Sequence, residues 1–170
     1  EADYVRKGEA QNLPGRYLLA NRTPWYSMEQ REVAPIWAAV FARGDLKFVL
    51  NTAGVRSLTN FHCVFPVRRD PDFVRALVFC LNMPSVRARA RLQTRVYGGG
   101  LNKFEPRDVK ALVVPDLRFA SEATLKALSG RFGLLDALSR SDRLTDSQLD
   151  DWDADIAAIG AEVDANIAKL

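Results

Sequence analysis

The stretch Arg95-Val96-Tyr97-Gly98-Gly99-Gly100-Leu101-Asn102-Lys103-Phe104-Glu105-Pro106 decides how the chain is read. Three consecutive glycines give a backbone that tolerates positive φ and close approach by another surface. Arg95 and Tyr97 stand before the loop and Lys103 after it. Glu105-Pro106 then opens a helix, because proline is tolerated at the first helical position and Asp108 puts negative charge in the first turn. Val109 and Leu112 give that helix an apolar side, and Leu112-Val113-Val114-Pro115 is expected to be a brief buried strand. Two readings of the glycines stand. They form a plain turn between two elements, or a flexible loop that brings Arg95, Tyr97 and Lys103 to a polyanion.

Just upstream, Pro84 opens a helical turn carrying Arg87, Arg89 and Arg91, followed by Arg95. No acidic residue lies between Met83 and Asn102, so local salt bridging is not available. The cluster reads as a solvated face or as a set of phosphate contacts. Further upstream, Asp70 caps a helix with Pro71 at its first position, and Phe73, Val74, Leu77, Val78 and Leu81 repeat at helical spacing. Before it, Ile36–Phe41, Leu46–Leu50 and Phe61–Phe65 are short apolar runs separated by Gly, Asn and Pro, the pattern of a meandering β body. Arg16–Ala20 is expected to be a short strand, and Glu29–Pro35 a loop. After the turn at Asn21–Pro24, Trp25 and Tyr26 are core packing or a stacking surface for bases.

Beyond Ser121 the pattern changes. Leu125, Leu128, Phe132, Leu135 and Leu138 fall at helical spacing. Thr145 and Gln148 form a capping-box pattern, and an apolar stripe runs from Leu149 through Trp152, Ile156, Ile159, Val163 and Ile167 to Leu170. Two amphipathic helices joined near residues 139–144 are expected to make an antiparallel hairpin. It should pack on itself and leave apolar surface for a catalytic domain or a second copy. The organisation that follows is a polar lead-in at 1–15, a body at 16–120 and a helical hairpin at 121–170. The fold class is α+β, a mixed and mostly antiparallel β body with short helices.

The chain has 170 residues and a net charge of +3. Residues 1–120 carry 19 basic and 11 acidic side chains, while residues 121–170 carry 5 and 10, so the body is basic and the tail acidic. That asymmetry suits a polyanion partner for the body only. No apolar run approaches the length a membrane helix needs. Cys63 and Cys80 lack metal spacing and read as reduced thiols of a cytosolic protein. His62, the sole histidine, reads as structural. No HExxH, CxxC or P-loop is present, and no nucleophile–base pair can be assembled. This points to a binding module. The chain starts at Glu1 and is read as a piece of something longer.

Several blocks occur together in one order: Asn21-Arg22-Thr23-Pro24-Trp25-Tyr26, Phe48–Val55 with Thr59–His62, Leu81-Asn82, and Arg95–Leu101 with Lys103–Pro106. Together they resemble the C-terminal target-recognition region of N6-adenine DNA methyltransferases from restriction–modification systems, over roughly residues 16–117. The resemblance implies a specificity domain similar to those of type I specificity subunits, followed by helices. In such enzymes a separate domain binds S-adenosylmethionine and holds the flipped adenine in an (Asn/Asp)-Pro-Pro-(Tyr/Phe) motif. Asn82-Met83-Pro84-Ser85 lacks the second proline and the aromatic. The resemblance therefore implies a chain that itself binds no cofactor and transfers no methyl group. Its expected partners are double-stranded DNA and the catalytic domain of the same chain. The expected phosphate contacts are Arg87, Arg91 and Lys103; the expected base-edge or stacking residues are Arg22, Tyr26, Arg56, Asn60, Arg95 and Tyr97, around the loop Gly98, Gly99 and Gly100. A stand-alone single-strand or RNA-binding module, and a protein-interaction module built on the last two helices, are the alternatives.

Overall fold

The computed structural model describes residues 2–27, 31–92 and 94–169. The chain forms two compact units, Glu1–Glu32 and Val33–Leu170. The acidic tail thus belongs to the same unit as most of the basic body.

The first unit is helical. Helix α1 spans Ala2–Ala10, a 3-10 turn follows at Leu13–Gly15, and α2 spans Tyr17–Ala20. The expected lead-in is instead largely helical, with Asp3 and Lys7 at the dipole-favoured ends of α1. The expected strand at Arg16–Ala20 is instead one helical turn. Its Leu19 and Ala20 N–H groups both donate to the Arg16 carbonyl at 2.8 Å. A run this short has no decisive periodicity, and turn geometry settled it. Trp25 packs within this unit against Gly8, where a Cβ would lie 2.3 Å from the indole ring. Any side chain at position 8 would force the indole to shift.

The second unit is built on two three-stranded antiparallel sheets. In the first, β1 (Ile36–Ala39) lies between β3 (Phe48–Leu50) and β4 (Phe61–Val64). In the second, β6 (Leu101–Lys103) lies between β2 (Phe41–Ala42) and β5 (Arg95–Tyr97). The α+β class holds, with every strand pairing antiparallel. Val40 joins the sheets: its N–H donates to the Asn60 carbonyl at 3.1 Å, and its carbonyl accepts from Phe104 N–H at 2.9 Å.

Helix α3 (Pro71–Leu81) is the centre of the unit. Asp70 caps it, accepting from Phe73 N–H at 3.0 Å, as its sequence requires. One side of α3, with Val74, Val78 and Leu81, packs on Ile36, Ala38 and Phe48 of the first sheet. The other side, with Phe73, Ala76, Phe79 and Cys80, packs on Leu125, Leu128 and Leu135. These leucines belong to α6 (Glu122–Arg140), which is followed by α7 (Asp146–Ile167). The two last helices fall where the stripes put them, and Thr145 and Gln148 make the expected reciprocal cap. The hairpin does not simply pack on itself, however. Its apolar stripe covers α3, and Trp152 meets Phe79 edge-on at 5.5 Å. The apolar surface expected to remain is largely used within the unit. Leu170, at the end of the expected stripe, and Glu29 and Gln30 of the expected loop lie outside the described residues.

The unit also contains two shorter helices, α4 (Pro84–Arg91) and α5 (Pro106–Lys110), and a 3-10 turn at Leu117–Phe119. Met83, at the cap position of α4, supplies no side-chain acceptor. Asp153 of α7 supplies it instead, accepting from Ser85 N–H at 2.9 Å and Ser85 Oγ–H at 2.6 Å. The expected strand at 112–115 has alternation over its first three residues but not the ladder. Leu112 and Val114 pack on the core, Val113 is exposed, and no strand pairs with them among the described residues.

Candidate nucleic-acid interface

Strands β5 and β6 form a hairpin closed by Gly98–Gly100. Arg95 stands opposite Lys103, Val96 opposite Asn102, and Tyr97 opposite Leu101. Side chains alternate along a strand and directly opposed residues share a face. Arg95, Tyr97, Leu101 and Lys103 therefore lie on one face. Phe41 of β2, paired with Lys103, extends that face by one strand. All of β5 is exposed, Tyr97 by 46% and Phe41 by 47%.

The glycines have two distinct properties. Gly99 and Gly100 adopt φ of 74° and 72°, where a side chain strains the backbone. A Cβ at any of the three would meet nothing within 4 Å. The run is therefore a turn, as the first reading has it, and open space surrounds all three glycines.

Lys103 Nζ pairs with Glu105 Oε1 at 2.8 Å. The hydrogen bond to Glu105, aided by that carboxylate's charge, raises the Lys103 ammonium above its ordinary range and lowers Glu105. Below the hairpin, Asp108 is buried and accepts from Glu105 N–H at 2.8 Å, which fixes the entry to α5.

Arg87 and Arg91 have an acidic partner that local sequence could not reveal. Asp45, from the turn between β2 and β3, pairs with Arg87 at 3.1 Å and with Arg91 Nε. The Arg91 hydrogen bond is the largest influence holding the Asp45 carboxyl below its ordinary value; the Arg87, Arg91 and Lys47 charges add to it against desolvation by burial. Arg87 is largely buried, while Arg91 stays 61% exposed. Neither is the unpaired cation that the sequence suggested. Arg89, on the exposed side of α4, has no ion pair among the described residues.

Arg22 and Tyr26 belong to the first unit. Arg22 donates to the Ser27 carbonyl at 3.1 Å, and Tyr26 stands edge-on to Trp25 at 5.6 Å. Arg56 and Asn60 are exposed in the loop that precedes β4. That loop is stapled by Asn51, whose Nδ2 donates to the Ala34 and Val55 carbonyls at 2.9 and 2.8 Å. Asn82 does similar work at the end of α3. Its amide accepts from Phe48 N–H at 3.1 Å and donates to the Phe48 carbonyl at 2.9 Å, imitating a strand along the edge of β3. Both asparagines lie in the blocks that carry the family resemblance, and both are structural.

His62 Nε2 lies 2.7 Å from the Phe104 carbonyl and must donate to it. It is the satisfied structural histidine expected. Cys63 Sγ lies 3.1 Å from Ser57 Oγ, and burial pushes the Cys80 thiol up to about 12. Both cysteines are free. Among the described residues no His/Cys/Asp/Glu group could hold a metal ion, and no helix is long and apolar enough to cross a membrane.

The exposed β5–β6 ribbon thus carries Arg95, Tyr97 and Lys103 on one face of an α+β scaffold, and comparison with known proteins identifies the class of the chain. The model of the C-terminal domain of the type II methyltransferase M.Eco57I matches residues 1–157, and the chain belongs to that family. It is the C-terminal module of a modification methylase. It is 36% identical over 128 residues to the type II methyltransferase M.AccI of Acinetobacter calcoaceticus, covering 72% of this chain and 23% of that protein. It is 32% identical over 104 residues to M.XamI of Xanthomonas campestris pv. amaranthicola, covering 59% of this chain and 19% of that protein. The chain thus spans about a quarter or less of the curated relatives it matches. No solved structure matches it.

Proposed function

We propose that this chain is the DNA-recognition module of a bacterial, cytoplasmic, adenine-N6-specific type II methyltransferase. The observation that carries this reading is the shared open face of Arg95, Tyr97 and Lys103 beside an unobstructed glycine turn. A two-stranded ribbon is narrow enough to enter the major groove. Arg95 offers a planar fork to a guanine edge or a phosphate, and Lys103 a point charge to the backbone. Tyr97 supplies a ring for apolar or stacking contact. Arg56 and Asn60 are further candidates, because Asn60 is tied through Val40 to Phe104 at the base of the ribbon.

S-adenosylmethionine would be bound by a separate catalytic domain of the parent chain, which is also this module's expected covalent partner. The residues here do not fit the cofactor. Both sheets are antiparallel, and the glycine run joins two strands rather than leading from a strand into a helix. The target base would be flipped toward the catalytic domain, with this module fixing register on the duplex.

The test is salt-dependent binding of a mixed-sequence duplex by the wild type and by an Arg95→Ala, Lys103→Ala double variant. If each cation contacts one phosphate, the slope of log K against log salt should fall by about two. An unchanged slope with unchanged affinity would sink the assignment of this face. Stronger binding to single strands than to duplex would favour a single-strand-binding module instead.

A further inference from the structure

We propose that Asp45 is a positioning residue for the β5–β6 ribbon, a negative charge that strengthens DNA binding by holding the reading face in place. The inference rests on the DNA-recognition reading of that face. The turn that bears Asp45 directly follows β2, which pairs with β6. Its Gly44 carbonyl accepts from Asn102 Nδ2 at 3.0 Å. Asn102 in turn stands opposite Val96 of β5 and Ala42 of β2, at the middle of the small sheet. On its other side, Asp45 grips Arg87 and Arg91 of α4. That helix is itself fixed, with Val86 and Ala90 buried in the core and Asp153 at its N-terminus. A continuous chain of contacts therefore runs from the core through α4 and Asp45 to Asn102 and the ribbon. The Asp45 side chain is only 17% exposed, so water competes weakly for its arginines.

Charge alone argues the opposite. A carboxylate near a polyanion site repels the polyanion and occupies two arginines that could reach phosphates. Asp45→Asn removes that charge and leaves Arg91, already 61% exposed, available to solvent. The two accounts predict changes of opposite sign in one measurement.

The experiment measures duplex affinity across a salt series for the whole chain, with Asp45→Asn, Asn102→Ala and the double variant. Amide exchange of residues 95–103 and of α3 is followed in parallel. The positioning role predicts that Asp45→Asn weakens binding by about tenfold, the size of one lost hydrogen bond to a charged group. The salt slope should stay unchanged, and ribbon amides should exchange faster while α3 amides do not. Asn102→Ala should weaken binding similarly, and the double variant should be no weaker than the worse single one, because both cut the same tether. Tighter binding or a steeper slope for Asp45→Asn overturns the proposal. If Asp45→Asn does not fold, Asn102→Ala decides alone: weaker binding supports the tether and equal binding overturns it. A wild-type chain without salt-dependent duplex affinity would overturn the DNA reading itself and the proposal with it.

Discussion

The helical side of the second unit and its small ribbon sheet are built on opposite plans. Leu125 and Leu128 of α6 are wholly buried against α3, and Phe79 and Met83 lie beside them. The ribbon has no comparable core: every residue of β5 is exposed, and its anchors are Phe104, Asn102 and the Asp45 turn. Buried apolar area dominates stability, whereas polar groups held in the open make contacts. One half of the unit therefore carries most of the buried core, and the other half holds the face proposed to meet DNA. Substitutions should separate the two.

The largest expected effect tests the packed half. Leu128→Ala opens a cavity at a fully buried site and should cost about 3–4 kcal/mol, read from thermal or denaturant unfolding. The fraction that remains folded should bind duplex as the wild type does. A loss of affinity in folded protein would show that the halves are not separable. Trp152→Ala is the intermediate case. The ring packs on Phe79 but is only partly buried, so the cost should be about 2 kcal/mol, below that of a fully enclosed tryptophan. A change as large as that of Leu128→Ala would mean that the last helix carries more of the core than its burial suggests.

The smallest effect sharpens the boundary. Asp45 has its folded-state carboxyl depressed below the ordinary 3.8. Its pairing therefore adds stability above that value and loses it as pH falls through the lowered folded value. Asp45→Asn should flatten the acid limb of the stability profile by under about 1 kcal/mol, while leaving the profile between pH 6 and 8 parallel to the wild type's. An unflattened acid limb would show that the clamp contributes nothing to folding.

Much of this division was legible in the chain where the signals are local. Asp70-Pro71 announced α3, Thr145 and Gln148 announced α7, and the glycine run announced a turn with cations around it. Reading failed where the partner is distant. Arg87 and Arg91 looked unpaired because Asp45 lies in another element, and no spacing rule links them. The leucine stripe of α6 was legible as a stripe, but periodicity does not say which surface it covers, and α3 proved to be that surface. Tyr17–Ala20 was too short to tell a helical turn from a strand. Leu112–Val114 kept a strand's alternation without a neighbour to complete it. Among the site residues, the glycine turn and its flanking cations were legible, but the three-residue strands on either side and their register were not, because runs so short carry no decisive periodicity. The structural work of Asn51 and Asn82 was hidden too, because an amide side chain can mimic backbone anywhere.

The cap that Asp153 places on α4 orders events in time. Ser85 and Asp153 are 68 residues apart, so a chain emerging from the ribosome makes the arginine-bearing helix long before its cap exists. Until α6 arrives, α3 presents an uncovered apolar side, and until α7 follows, the first turn of α4 lacks its side-chain acceptor. The nascent module is thus most open to wrong partners in the interval before its last helices are made. Truncation within α7 should accordingly lower the yield of native protein, even when every residue of the ribbon is present.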